Sequence, residues 1–249
     1  MSFFEHLEEL RSRLLRIVLA IVVGFGVSFY FRDALYHILS DPMRKLLPPG
    51  GKFIITNPPE YFFMTLKVAF VAGLLFTLPF IIYQLWLFIT PGLYKKERKL
   101  AIPFVVVATA LFYIGAVFAY FLVFPVVFKF FMQITPSDVL PMLSVNEYVS
   151  LVLKLMVAFG AVFETPIIIV FLGLLGIVNS SMLKRGRRYF VVLAFVIGAI
   201  FSPPDVLSQI MMGLPLLVLF ESSIHVLAAI EKRRKAQEEK DEAELYDIE

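Results

Sequence analysis

Long unbroken apolar runs decide what this chain can fold into. Residues 14–31, 61–90, 100–131 and 149–175 are dominated by aliphatic and aromatic side chains, with almost no charge among them. A hydrocarbon core about 30 Å thick takes about 20 apolar residues at 1.5 Å each, so every one of these runs can cross a bilayer as a helix. The second and third can also tilt or project beyond it, and Pro79 and Pro125 are their expected kink points. Two shorter runs follow, 189–201 and 210–230, separated by Ser202-Pro203-Pro204-Asp205. The fifth run, of about 13 residues, reaches nearer 20 Å than 30 Å. A re-entrant hairpin is one reading of this pair; two short spans are preferred, because the basic segments on either side then agree in topology.

The expectation is an all-α, polytopic integral membrane protein of six transmembrane helices, the last two short. Residues 1–235 form a single domain, with a polar tail over 236–249 that is disordered or frayed. Only 17% of residues are charged and 59% are hydrophobic, against about 25% and 45–50% for soluble domains. Orientation follows from where the cations fall. Sixteen Lys and Arg lie in segments 1–16, 91–100, 176–188 and the tail, against four in the loop 32–60 and none in the other two loops of that side. Cations gather on the cytoplasmic side, so both termini are expected there. No cleavable leader is visible, which favours a prokaryotic or organelle-encoded protein. Loop 32–60 carries Leu35, Ile38 and Leu39 at helical spacing, which predicts a short interfacial helix ended by Asp41-Pro42.

Chemistry has few footholds. There is no Cys, and His6, His37 and His225 share no ligand spacing, so no metal or cofactor is expected. No phosphate loop, zinc-protease helix or serine elbow is present, and an enzyme is not expected. Three acids remain of interest. Ser2 and Glu5 form a capping box, so a helix begins almost at the first residue. Phe3, Leu7, Leu10 and Leu14 share a face that would lie on the membrane surface before the chain turns in. Glu9 on its polar side is a candidate binding acid, although an ordinary i,i+4 pair with Arg13 also accounts for it. Glu97 is a lone acid beside Lys95, Lys96, Arg98 and Lys99, which favours its ionised form. Glu164 sits near the middle of the fourth run, where a charge costs about 2.5–3.5 kcal/mol or more. Lys154 is roughly 15 Å away along a helix and cannot be its local partner. Pro166 frees a backbone carbonyl one turn earlier. Glu164 therefore faces a cavity, another chain or a water path, or is a buried acid bonded for packing. Glu221 and His225 read as a snorkelling interfacial pair, and Lys67, Lys129 and Lys154 as snorkelling anchors near helix ends.

Four segments together resemble one family. His6-Leu7-Glu8-Glu9-Leu10-Arg11-Ser12-Arg13-Leu14 is similar to the opening motif of TatC, the core subunit of the twin-arginine protein translocase. Phe88 to Arg98 resembles the family's first cytoplasmic loop, Phe159 to Pro166 its fourth helix, and Ser202 to Val206 its last external turn. The resemblance runs from residue 6 to about 230.

The resemblance implies a signal-peptide receptor and core scaffold in a bacterial inner membrane. Its ligands would be peptides with two adjacent arginines, its partners single-span TatA- and TatB-type proteins, its cargo folded proteins. Self-association within the complex is implied, and nucleic acid is not. Glu9 and Glu97 would accept the two guanidinium groups, with Arg11, Phe88, Pro91, Leu93 and Arg98 around them. Arginine suits such a site because its planar fork bonds a carboxylate through two nitrogens, which lysine cannot do. Glu164 would be a polar docking point inside the membrane, and Ser202 and Gln209 further partner contacts. Pro203, Pro204 and Asp205 would shape the external turn. The competing reading is a proton-coupled small-solute transporter using Glu164. It predicts tolerance to loss of Glu97, which a receptor would not show.

Overall fold

A computed structural model of the chain describes residues 3–44, 53–89, 101–136, 144–201 and 205–246. Among them there is no strand; a single bridge joins Ile54 to Ser144. The chain clusters into two compact units, residues 1–161 and 162–249.

The first unit opens with α1 (Phe3–Tyr30). It is one helix of 28 residues, where the sequence reading laid the first residues on the membrane surface and turned the chain inward near Leu14. Nothing between Phe3 and Gly24 breaks a helix, so it continues. Helix α2 (Arg32–Arg44) is the expected interfacial helix, extended past Asp41-Pro42. Pro42 has no N–H to give the Ile38 carbonyl, which would ordinarily end the helix. The Tyr120 hydroxyl donates to that carbonyl instead, and the Tyr148 hydroxyl donates to Leu39 O at 2.6 Å.

The same device keeps α3 (Glu60–Ile89) continuous through Pro79. The carbonyl orphaned by Pro79 is that of Leu75, and Tyr113 donates its hydroxyl to it at 2.8 Å. Helices α1 and α3 cross at two glycines. A Cβ on Gly24 would lie 2.7 Å from Gly73 O, and one on Gly73 would lie 2.6 Å from Phe25 N. Lipid offers no hydrophobic drive to pair helices, so close backbone approach through small residues supplies the contact.

The third apolar run forms α4 (Ala101–Phe118), a π-helical turn (Ala119–Val123) and α5 (Phe124–Ile134). Phe124 N–H donates to Ala119 O, five residues back, immediately before Pro125. The widened turn absorbs the donor that Pro125 lacks. Helix α6 (Val145–Phe163) packs Gly160 against Phe112, where a Cβ would meet the ring at 2.4 Å.

The second unit contains α7 (Thr165–Leu174), α8 (Ser180–Phe201) and α9 (Val206–Tyr246). Gly176, at φ 71°, ends α7; its N–H reaches Gly173 O and the Ile177 N–H reaches Leu172 O, both at 3.0 Å. Phe190 stacks on Phe220 with centroids 3.7 Å apart, beside the buried Ile169, Ile224 and Leu227. Helix α9 continues to Tyr246, where the sequence reading expected a disordered or frayed tail. The segment is rich in Ala, Glu, Lys and Arg, all strong helix formers, with opposite charges four apart at Lys235–Glu239.

Among the described residues, five stretches are long and apolar enough to cross a membrane: Phe4–Tyr30, Glu60–Phe88, Ile102–Ile134, Val145–Leu174 and Val206–Gln237. Helix α8 is not among them, because Lys184, Arg185, Arg187 and Arg188 occupy its first half.

Candidate functional site

The N-terminal turns of α1 lie against the C-terminal turns of α3. The His6 ring stacks on Phe88 at 4.4 Å and 17°. Three residues on, Glu9 Oε1 accepts from Arg13 Nε at 2.9 Å and also from Nη2. Arg13 Nη1 in turn donates to Gln84 Oε1 at 3.4 Å. Gln84 is buried, and so is the neighbouring Trp86, whose ring lies 4.0 Å from that of Phe104 on α4. A polar chain Glu9–Arg13–Gln84 thus joins the two helices, with both ionic side chains largely covered.

Glu9 is half used. Its Oε2 atom is shielded from solvent and accepts no hydrogen bond from a described residue. A carboxylate with one oxygen held by an arginine and the other shielded and unbonded can accept one further strong donor. A guanidinium fits, since its two nitrogens can meet an oxygen edge at once. Arg11 is exposed on the same helix. Glu97, Pro91, Leu93 and Arg98 lie outside the described residues. Of the expected receptor constellation, Glu9 and Phe88 are thus brought to one place.

Glu164 lies between α6 and α7, with Pro166 opening the next helix. The carbonyl that Pro166 frees is that of Val162, and Thr165 Oγ1 takes it at 2.6 Å. Glu164 Oε1 is shielded and bonded to no described residue.

In the second unit Asp205 caps α9, its Oδ1 accepting from Ser208 N at 2.7 Å. Gln209 Nε2 donates to Phe195 O at 2.9 Å and ties α9 to α8, where a Cβ on Gly198 would lie 3.1 Å from Gln209 O. Ser202, Pro203 and Pro204 lie outside the described residues. Glu221 pairs with Arg187 and lies 3.6 Å from His225.

Sequence reasoning missed Glu60. This buried acid takes Thr56 N at 2.5 Å, Thr56 Oγ1 at 2.7 Å and Asn57 N at 3.2 Å on Oε2. Its Oε1 accepts from Ser144 Oγ and from Asn146 N at 3.3 Å. It ties the segment before α3 to the start of α6. The signal was present: Asn57-Pro58-Pro59-Glu60 is a capping box with proline in the first turn, the acid reaching back to the cap N–H.

Comparison with known proteins places this architecture. The profile of the family described as Sec-independent protein translocase protein (TatC) matches residues 5–215. A TatC of Halothiobacillus neapolitanus is 47% identical over 243 residues, 98% of this chain and 66% of that relative's length. One from Desulforapulum autotrophicum is 39% identical over 99% of this chain and 91% of its own. A crystal structure of a twin arginine translocase receptor, TatC, obtained in DDM, superposes with a TM-score of 0.82 at 42% identity and covers 89% of this chain and 99% of that one. An all-helical chain matched so fully in sequence and in structure belongs to the Sec-independent protein translocase protein (TatC) family.

Proposed function

We propose that this protein is the signal-peptide receptor and core scaffold of a twin-arginine translocase. It binds Arg-Arg signal peptides at its cytoplasmic face and works with single-span TatA- and TatB-type partners to export folded proteins. The observation that carries the reading is the half-used carboxylate of Glu9, whose Oε2 is shielded and unbonded among the described residues beside the His6–Phe88 stack. An incoming guanidinium would complete it, and Glu97 would take the second arginine, with Arg11, Pro91, Leu93 and Arg98 bordering the peptide. Arg13 holds the other oxygen of Glu9, so the acid is oriented before the peptide arrives.

The charge pattern supports both termini lying in the cytoplasm, with α8 supplying a sixth, short span through residues 189–201. The family resemblance implies that the membrane is a bacterial inner membrane. A span as short as residues 189–201 would leave the bilayer locally thin, which costs fractions of a kcal/mol per Å of mismatch. Glu164, with Oε1 unbonded among the described residues, serves as a docking point for a polar side chain of a partner helix. Ser202 and Gln209 are further contacts, next to the turn of Pro203, Pro204 and Asp205.

Export of a folded Arg-Arg cargo by cells carrying only this protein as their TatC tests the reading. Glu9→Ala and Glu97→Ala are expected to abolish export while the protein still accumulates in the membrane. Export that survives both changes but fails on Glu164→Ala would favour proton-coupled transport through Glu164.

A further inference from the structure

Lys67 is a cation inside an apolar helix with neutral partners. Its Nζ donates to Asn146 Oδ1 at 2.9 Å and to Ser150 Oγ at 3.0 Å, both on α6, and it forms no ion pair with a described carboxylate. An ammonium has three N–H donors, so one is left, together with the whole charge. The side chain is exposed, as are Phe63 and Phe70, four residues before and three after it on the same face of α3.

Depth along the helix says what surrounds it. From Phe88 to Lys67 is about 32 Å at 1.5 Å per residue, close to the thickness of a hydrocarbon core. With Phe88 at one interface, Lys67 stands where the apolar region ends at the other, at the level of lipid phosphates. Asn146 also lines a surface pocket with Phe63, Glu60, Ser144 and Glu147. Glu60 is already saturated by five donors. Glu147 is exposed, and no described side chain forms an ion pair with it.

We infer that Lys67, Asn146 and Glu147 form a headgroup site for an aminophospholipid in the leaflet at that end of α3. The phosphate sits on Lys67 Nζ and the Asn146 side-chain amide, and the lipid's primary ammonium sits near Glu147. Asn146 spends its oxygen on Lys67, which leaves its NH2 group to donate to the phosphate. Exposed Phe63 and Phe70 flank the acyl chains. A free phosphate would use only the cation, and a lipid with a neutral glycerol headgroup would offer the Glu147 carboxylate no cation to pair with. The lipid site does not depend on how the signal peptide binds.

The test is native mass spectrometry of the full-length protein in detergent with palmitoyl-oleoyl phosphatidylethanolamine, its phosphatidylglycerol counterpart and the matching diacylglycerol. The ethanolamine lipid is expected to be retained preferentially and the diacylglycerol not at all. Lys67→Gln is expected to weaken retention roughly tenfold, as loss of one charged hydrogen bond implies, and Lys67→Arg to restore it. Glu147→Gln is expected to erase the preference between the two phospholipids while keeping both bound. Photo-crosslinking of wild-type protein with a headgroup-labelled ethanolamine lipid reads the site without any variant, and labels should fall on residues 60–70 and 144–150. Labels elsewhere, retention insensitive to Lys67, or equal retention of the two phospholipids by the wild type would overturn the assignment.

Discussion

Replacing Gly73 by alanine would insert a methyl group where α1 and α3 touch through their backbones. The new carbon would lie 2.6 Å from Phe25 N, 2.7 Å from Gly24 C and 2.8 Å from Phe25 Cα. All three are main-chain atoms, so no side-chain rotation relieves the overlap. Ordinary contact needs about 3.5–4.0 Å between carbons, so the helices must part by roughly 1 Å. Overpacking of this kind costs about 1–3 kcal/mol. In a chain of this size that corresponds to a fall in Tm of about 2–12 °C. The assay is thermal unfolding of the purified protein in detergent, followed through Trp86, which packs between α3 and α4. The control is internal: a Cβ on Gly26, two residues from Gly24 on α1, meets nothing within 4 Å. Gly26→Ala should therefore melt as the wild type or slightly higher, since it removes a helix-interior glycine. Equal melting of the two variants would refute the close-crossing argument.

Three further outcomes follow from single interactions. Tyr113→Phe leaves the Leu75 carbonyl without its donor inside the membrane, and unfolding in detergent should register a loss of about 0.5–1.5 kcal/mol. Glu60→Gln turns an acceptor of five donors into a group that must point its NH2 at some of them. The expected loss is about 2 kcal/mol or more, with faster proteolysis at residues 53–59 as a second readout. Arg13→Ala frees Oε1 of Glu9 and breaks the link to Gln84. Peptide affinity should fall severalfold as Glu9 loses its orientation, with a smaller change in Tm than in Gly73→Ala.

The long helices were legible because lipid imposes a simple length rule, and apolar runs in the sequence report it directly. Their breaks were harder to read, since whether a proline ends a helix depends on a distant donor. Pro42, Pro79 and Pro166 look alike in sequence, yet each freed carbonyl is taken by a different hydroxyl: Tyr120, Tyr113 and Thr165. Two of those donors are far away in the chain. An amphipathic start does not by itself require a turn, and α1 stays continuous because no breaker residue stands there. Glu60 carries a local signal, the capping box with Asn57. Glu9 and Phe88 were singled out from motif resemblance, whereas Gln84, the residue that links Arg13 to α3, has no sequence mark except a polar side chain inside an apolar run.

In the proposed function, Glu9 is the acceptor for arginine. The most direct test is equilibrium binding of a labelled Arg-Arg signal peptide to the detergent-solubilised protein, beside its Lys-Lys version and the Glu9→Ala and Glu97→Ala variants. Each loss of a bidentate charged pair should weaken binding by about 1.5–3 kcal/mol, or roughly 10- to 150-fold. Binding that ignores the exchange of arginine for lysine, or that is unchanged in Glu9→Ala, would contradict the receptor reading.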